Sequence, residues 1–496
     1  ATLGIFGRLN YDWKGRYIVE ASARYDGTSR FAAGSRWGFF PSASAAWRFS
    51  EEPFFKPVQN VITNGKIRFS AGSLGNQQVS NYYYLTKVSS DNTMSYTFDK
   101  SSKAAYSSVS APVSSGLTWE TVTTYDLGLD LNFLGNRLSF VGDYFIRDTK
   151  DMLTASVELP ATYGATSPKE NCADLRTRGW EISIDWKDSF KLLGKQATYS
   201  VSLGIGDNKT VITKYYNPTG TLSSNYKGKT LGDIWGYRID GLFQSDEEAA
   251  EYMSRIDSHE IQPGPYQALS SSLGTGLKAG DPKFRDLNGD GKITSGAGTL
   301  DDPGDREIIG NSRPRFPYSF RLGFNWAGLD ISAFFQGIAH QDWYPTGAYG
   351  GSAFWGPYSY SEVSFIAKDF MGRVYDTETN PDGYFPRPRA FASYSSGNYN
   401  LGLGQKNDRY MQNIGYLRFK NLTVGYTLPE SLTRKFYVSR LRVFFTGENL
   451  YYWSPLKKYC TTIDPELANA SSLNTDNTGI GYLYPKTLSF GVDVTF

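Results

Sequence analysis

The stretch Tyr17–Tyr25, YIVEASARY, decides how the chain is read. Tyr17, Val19, Ala21, Ala23 and Tyr25 fall on one face of an extended strand, and Ile18, Glu20, Ser22 and Arg24 on the other. Successive strand side chains point to opposite sides, so this period of two marks a strand with one greasy and one largely ionic face. The pattern recurs with Leu127, Leu129, Leu131 and Phe133 against Asp126, Asp130 and Asn132, and with Ile182, Ile184 and Trp186 against Glu181, Ser183 and Asp185. In a soluble sandwich the apolar face would be the core. In a membrane barrel the geometry inverts: apolar residues face lipid, polar residues face a wet lumen, and a crossing takes about 9–11 residues.

Composition points the same way. Hydrophobic residues make up 40% of the 496 positions and aromatics 16%, with 36 Tyr and 31 Phe against 5 Met, which is β-rich chemistry. Lys and Arg number 51 against 49 Asp and Glu, a formal charge of +2, so no global field recommends nucleic acid as a partner. Two histidines far apart, His259 and His340, and two cysteines, Cys172 and Cys460, argue against histidine-based catalysis and zinc. No apolar run approaches the ~18 residues of a membrane helix, so a chain that spans a bilayer must do so as strands closed into a barrel.

Thirteen crossings are expected, at 3–12, 17–25, 39–49, 66–75, 121–133, 137–149, 178–187, 195–206, 317–326, 329–339, 413–427, 440–452 and 484–496. Connections on one side are short. On the other they run 26–38, 76–120, 150–177, 207–316, 340–412 and 453–483, and all but the first exceed twenty-five residues. Outer-membrane barrels alternate short periplasmic turns with long external loops in this way. Leu231 to Phe243 has strand character but would break the parity, and is assigned to the long external excursion. The last segment alternates through Leu488, Phe490, Val492 and Val494 to a terminal Phe496, like the closing strand of a bacterial outer-membrane barrel, which sets the long connections outside. Thirteen is odd, whereas single-chain bacterial barrels have even numbers. The first residues already read as a strand and no signal peptide precedes them, so an upstream portion supplying the remaining strands is expected.

Ten stretches in order resemble the SusC/RagA family of TonB-dependent transporters. They are GRLNYDWKGRYIVEASARYDGTSRF at 7–31, GFFPSASAAWRFSEEPFF at 38–55, KIRFSAGSLGNQ at 66–77, LTWETVTTYDLGLDLNFLGNRLSFVGDYFIRDTKDML at 117–153, RGWEISIDW at 178–186, GYRIDGLFQS at 236–245, FRDLNGDGKIT at 284–294, REIIGN at 306–311, LRFKNLTVGYTLP at 417–429 and YPKTLSFGVDVTF at 484–496. The resemblance implies a twenty-two-strand all-β transmembrane barrel in the bacterial outer membrane, with a plug and TonB box upstream of Ala1. It also implies a SusD-like lipoprotein over the external mouth and import of an oligosaccharide or peptide driven through TonB.

Asp286, Asn288, Asp290 and Gly291 form the opening of an EF-hand-like loop, in which oxygen ligands at alternate positions wrap a hard cation. The twelfth position is Ala297, which offers no side-chain oxygen. The family pattern places an acidic residue followed by Arg soon after the loop, and Asp305–Arg306 matches it when 295–302 is read as an insertion. Candidate calcium ligands are Asp286, Asn288, Asp290, the carbonyl of Lys292, Thr294 and Asp305, against an Asx-rich turn as the alternative.

The 340–412 loop is rich in rings. Trp355, Tyr358 and Tyr360 are the candidate substrate contacts, against packing on the rim or under a lid. Tyr11, Trp13, Trp47 and Trp186 fit interfacial girdles. Cys172 and Cys460 both fall in external loops, where a disulfide is permitted. Adjacent carboxylates such as Glu51–Glu52 and Asp301–Asp302 read as turn charges, because neighbours on a strand point oppositely, and no catalytic pair is selected. The expected function is import rather than catalysis. The competing class is a secreted all-β carbohydrate-active or carbohydrate-binding protein, which would fold without lipid.

Overall fold

Segments that alternate apolar and polar residues satisfy their backbone groups by pairing edge to edge. Thirteen of them join into one antiparallel sheet in the computed structural model of the protein. The structure describes residues 1–91, 106–109, 112–114, 116–155, 162, 167–262, 276–345, 372–387, 403–461, 463–468 and 484–496. In chain order the strands are β1 Thr2–Trp13, β2 Tyr17–Thr28, β3 Trp37–Trp47, β4 Ile62–Asn76, β5 Glu120–Phe133, β6 Leu138–Ala155, β7 Lys169–Leu192, β8 Lys195–Lys214, β9 Arg315–Trp326, β10 Leu329–His340, β11 Tyr416–Thr427, β12 Arg440–Trp453 and β13 Thr487–Thr495. Each pairs with its sequence neighbours in the set, so β1 and β13 are the edges.

All thirteen expected crossings are present, and Leu231–Phe243 lies outside the large sheet as expected. It supplies two short strands, Asp233–Gly236 paired with Glu307–Asn311 and Ile239–Leu242 paired with Pro282–Phe284. Four strands run well beyond the expected crossings: β4, β6, β7 and β8 have 15, 18, 24 and 20 residues. In β6, β7 and β8 residues 150–155, 169–177 and 207–214 extend toward the long connections, where Asn171, Asp174 and Arg176 are polar on both faces, and β4 and β7 also lengthen at the short-connection end, by 62–65 and 188–192. Pairing continues there without an apolar face to signal it.

Short connections depend on left-handed backbone. Leu193–Gly194 and Ala327–Gly328 each join two strands with two residues at positive φ, the geometry that lets a two-residue turn follow the strand twist. Gly328 is required twice over, because a Cβ there would sit 2.5 Å from the carbonyl of Thr427.

By contacts the chain divides into two compact units. One comprises Ala1–Ile184, Asn208–Pro218 and Ser224–Thr230, and the other Asp185–Asp207, Thr219–Ser223 and Leu231–Phe496. In the first, Leu9 opposes Ala21, Tyr25 opposes Phe39, Phe69 opposes Leu127 and Leu127 opposes Tyr144. This apolar face is left open: Leu9 is 78% exposed and Leu127 54%. At its short-connection end Glu52 accepts from the Tyr17 hydroxyl at 2.7 Å and from Trp47 Nε1 at 3.3 Å, and the Trp13 ring lies 5.6 Å from that of Tyr17. Its small buried cluster, Phe31, Phe40, Leu117 and Trp119, lies at the other end.

In the second unit Phe320, Phe335 and Phe419 stack in register across β9, β10 and β11 with centroids 4.3 Å apart at each step. Here the buried core is not under the sheet but among the long connections. Tyr237, Phe284 and Ile293 from one, Trp343, Phe385 and Tyr410 from the next, and Leu456 and Ile463 from the last form one cluster. Beside it, helix α1 (Asp246–Arg255) starts on a Ser245 cap and buries Ala249 and Tyr252.

Candidate functional site

The face opposite the apolar one is a wall of paired charges and hydroxyls. In the first unit Arg68 bridges Asp130 at 2.9 Å and Asp143 at 2.8 Å, and Lys66 reaches Asp130 at 2.8 Å, while Arg176 and Asp148, 2.6 Å apart, pair on the other face, in line with Tyr144 and beyond the apolar stretch. Ser22 and Ser42, and Thr177 and Thr210, pair through their hydroxyls at 2.6 and 2.8 Å. Gly128 makes the Arg68 fork possible, since a Cβ there would lie 2.6 Å from the guanidinium. In the second unit Arg442 holds Asp330 at 2.7 Å and Asp493 at 3.1 Å, and Asp185 accepts from Ser202. Opposite charges facing one another across strands hold register on a wet surface, and none of these pairs has the separated, free acid and base that glycoside hydrolysis needs.

The Asp286 loop is an Asx-rich turn wound around a second carboxylate. Asp286 accepts from the backbone of Gly289 at 2.7 Å and Gly291 at 2.9 Å, Asn288 from Asp290, and Asp290 from Lys292. Asp305, wholly buried, accepts from Leu287 at 2.8 Å and Thr294 at 2.7 Å. The residue matched to the family's acidic position is thus brought into the loop that the sequence separates from it. Burial pushes the Asp305 carboxyl above its ordinary range, against these backbone donors and with the Asp286 charge adding to the rise. Among the described residues no three acidic, histidine or cysteine side chains converge as a ready metal cage, because the loop carboxylates are turned toward backbone N–H groups. The donor set is that of a hard cation; the arrangement seen is the Asx turn.

Trp355, Tyr358 and Tyr360 lie outside the described residues. Trp343 and Tyr344, at the start of the same connection, are core residues, 7% and 4% exposed. The Tyr344 hydroxyl donates to the Leu403 carbonyl at 2.7 Å, and burial holds it well above its usual range. Trp186 donates to the Tyr199 hydroxyl at 3.0 Å. The permitted disulfide is not formed. Both cysteines are thiols, Cys172 on strand β7 rather than in a loop and Cys460 buried in the loop core.

Sequence reasoning missed the charged cluster that ties the last long connection to β11. Arg418, 2% exposed, pairs with Asp464, also 2% exposed, and with Glu466 at 3.2 Å, while Lys420 reaches Glu466 at 2.8 Å. The Tyr452 ring lies 4.9 Å from the Arg418 guanidinium and that of Tyr484 5.3 Å. The signal available was Arg418 itself, a cation inside the alternating segment LRFKNLTVGYT with no counter-ion in that segment.

Comparison with known proteins matches residues 1–450 to the family described as TonB dependent receptor-like, beta-barrel. TonB-dependent receptor P3 of Formosa agariphila is 28% identical over all of this chain and 45% of its own length. TonB-dependent receptor SusC of Bacteroides thetaiotaomicron is 26% identical over 98% of this chain and 42% of its own. The chain therefore spans under half the length of the curated relatives it matches. The fold matches the structure of the RagAB peptide transporter with a TM-score of 0.69 at 21% identity, over 100% of this chain and 48% of that one.

Proposed function

The chain belongs to the TonB-dependent receptor-like β-barrel family of outer-membrane proteins, and on that premise we propose that it forms the wall and outer rim of a nutrient importer. The cargo is an oligosaccharide or a peptide, passage is driven through TonB, and the side carrying the long connections faces outward to a SusD-like lipoprotein. The observation that carries this reading is the opposed polarity of the sheet. Soluble proteins rarely expose contiguous apolar patches beyond ~600 Å², yet here the apolar face is open along strand after strand while the charged face is internally paired. Lipid on one side and a wet lumen on the other account for both. RagAB is described as a peptide transporter, which makes peptide one cargo class; the kinship with SusC makes the lipoprotein partner part of the proposal.

The test is fractionation and uptake with the full gene product in the cell that makes it. Recovery with outer membranes, and uptake of labelled oligosaccharide or peptide that stops when TonB is deleted, are expected. A gene product that stays in the aqueous phase and folds without lipid would return the chain to the secreted class.

The Asp286 loop supports a second proposal, that calcium is held by Asp286, Asn288, Asp290, the Lys292 carbonyl, Thr294 and Asp305. The support is the wholly buried Asp305 carboxylate beside the charge of Asp286. A bound divalent cation would neutralise that pair and brace the loop core through Ile293.

A further inference from the structure

The charged face of the second unit holds a cavity of about 750 Å³ at the long-connection ends of β10 and β11, lined by Arg313, Gln336, Gln341, Lys420, Glu466 and Tyr484 among others. Arg313 is set into it by a fixed turn. Ser312 donates its backbone N–H to Gly232 at 2.8 Å and Arg313 its own to the Asn311 side chain at 2.8 Å, and the Gln341 amide donates to the Ser312 carbonyl at 2.9 Å. The Arg313 stem lies against Gly232, where a Cβ would come within 2.7 Å of it. The glycine leaves the space the arginine uses.

Charges around the cavity do not cancel. Arg418 and Lys420 are matched by Asp464 and Glu466, which leaves Arg313 in excess. Among the described residues neither the Arg313 guanidinium nor the Gln336 amide has a protein partner. A planar guanidinium left unpaired at a cavity wall is matched to a carboxylate, which it takes through two parallel hydrogen bonds. The rest of the lining is amide, phenol, the Ser312 hydroxyl and the Lys420 ammonium with its paired Glu466 carboxylate, and its apolar side chains are Ile338 and two prolines, so there is no greasy recess for an apolar peptide side chain. The same groups suit sugar hydroxyls.

We propose that this cavity is a cargo subsite for an acidic saccharide unit, a uronate whose carboxylate is held by Arg313 and whose hydroxyls meet Gln336 and Tyr484. The assignment rests on the importer reading for its meaning, and its test is independent of transport. The full-length protein in detergent is titrated with glucuronate, glucose and triglutamate, with binding followed by saturation-transfer NMR and competition. Glucuronate is expected to bind at least ten-fold more tightly than glucose. The ratio should collapse in Arg313→Gln, be partly retained in Arg313→Lys, and narrow as salt rises. Gln336→Ala should weaken both sugars alike. Retention of heat-modifiable mobility on gels certifies each variant's fold. Absence of glucuronate binding, equal binding of the two sugars, or discrimination that survives Arg313→Gln overturns the proposal, and triglutamate displacing glucuronate at lower concentration overturns its saccharide part. Because no TonB or partner enters the assay, loss of the importer reading leaves a positive result standing, and a negative result leaves the importer reading intact.

Discussion

Arg418 on β11 and Asp464 in the last long connection form an ion pair shut off from solvent, each side chain 2% exposed. Two charges withdrawn from water are costly unless each finds the other, so removing one leaves the second buried and unmatched. Asp464→Ala is expected to destabilise the loop core by ~3–5 kcal/mol, read as a lower denaturant midpoint in detergent. Replacing both residues by apolar ones of similar volume should recover much of that loss. Equal midpoints for Asp464→Ala and the native chain would show that the pair is not what holds the connection.

A charge on the lipid face should cost far more than the same charge on the opposite face. Leu127→Arg, on the open apolar face of β5, is expected to lower folding free energy into vesicles by ~2–4 kcal/mol. Ser70→Arg, on the other face and opposite Asp126, should change it by under ~1 kcal/mol. Urea titration of vesicle-folded protein separates the two, and equal costs would argue against the assignment of faces.

Gly425 makes room for the fork between Arg442 and Asp330. A Cβ there would sit 2.5 Å from Arg442 Nη2 and 2.6 Å from Asp330 Oδ1. Gly425→Ala and Asp330→Ala should therefore act on the same interaction, and their combined effect should fall short of the sum by ~0.5–3 kcal/mol. Strict additivity in the double-mutant cycle would separate the glycine from the ion pair.

The calcium proposal gives a ligand-dependent melting temperature. At a hundred times its dissociation constant, calcium should add ~2.7 kcal/mol to whatever unit it braces. Chelation should reverse the gain, and Asp286→Asn with Asp305→Asn should abolish it. A melting temperature indifferent to calcium up to millimolar concentrations, with no terbium luminescence from the loop, would leave the Asx turn as its whole role.

Helix α1 carries a pH-dependent fastening. The Lys283 ammonium, 2.7 Å from Glu248, and then the backbone N–H of Gln244 hold the Glu248 carboxyl below its ordinary range. A carboxyl whose folded value is depressed adds stability above its unfolded value of ~4.3, and that stability is lost as pH falls through the folded value. The native protein should lose melting temperature between about pH 4.5 and 3 more steeply than Glu248→Gln does. Parallel curves would mean the contact contributes nothing.

The sequence alone determined the sheet. A strand facing lipid needs no particular partner for each apolar residue, so a local period of two suffices to mark it, and every crossing could be read from YIVEASARY outward. It also determined the polarity of the two faces and the asymmetry of the connections. The tertiary structure decided everything that depends on a specific distant partner. Asp464 meets Arg418 across 46 positions and Asp305 enters the loop around Leu287 from 18 positions away, and neither separation is periodic. Rings at Trp343 and Tyr344 became core because three long connections pack on one another, which no single connection reveals. Arg313 stands without a protein partner among the described residues beside Arg418 and Lys420, which Asp464 and Glu466 match, and an excess charge is a property of a place and not of a stretch of chain.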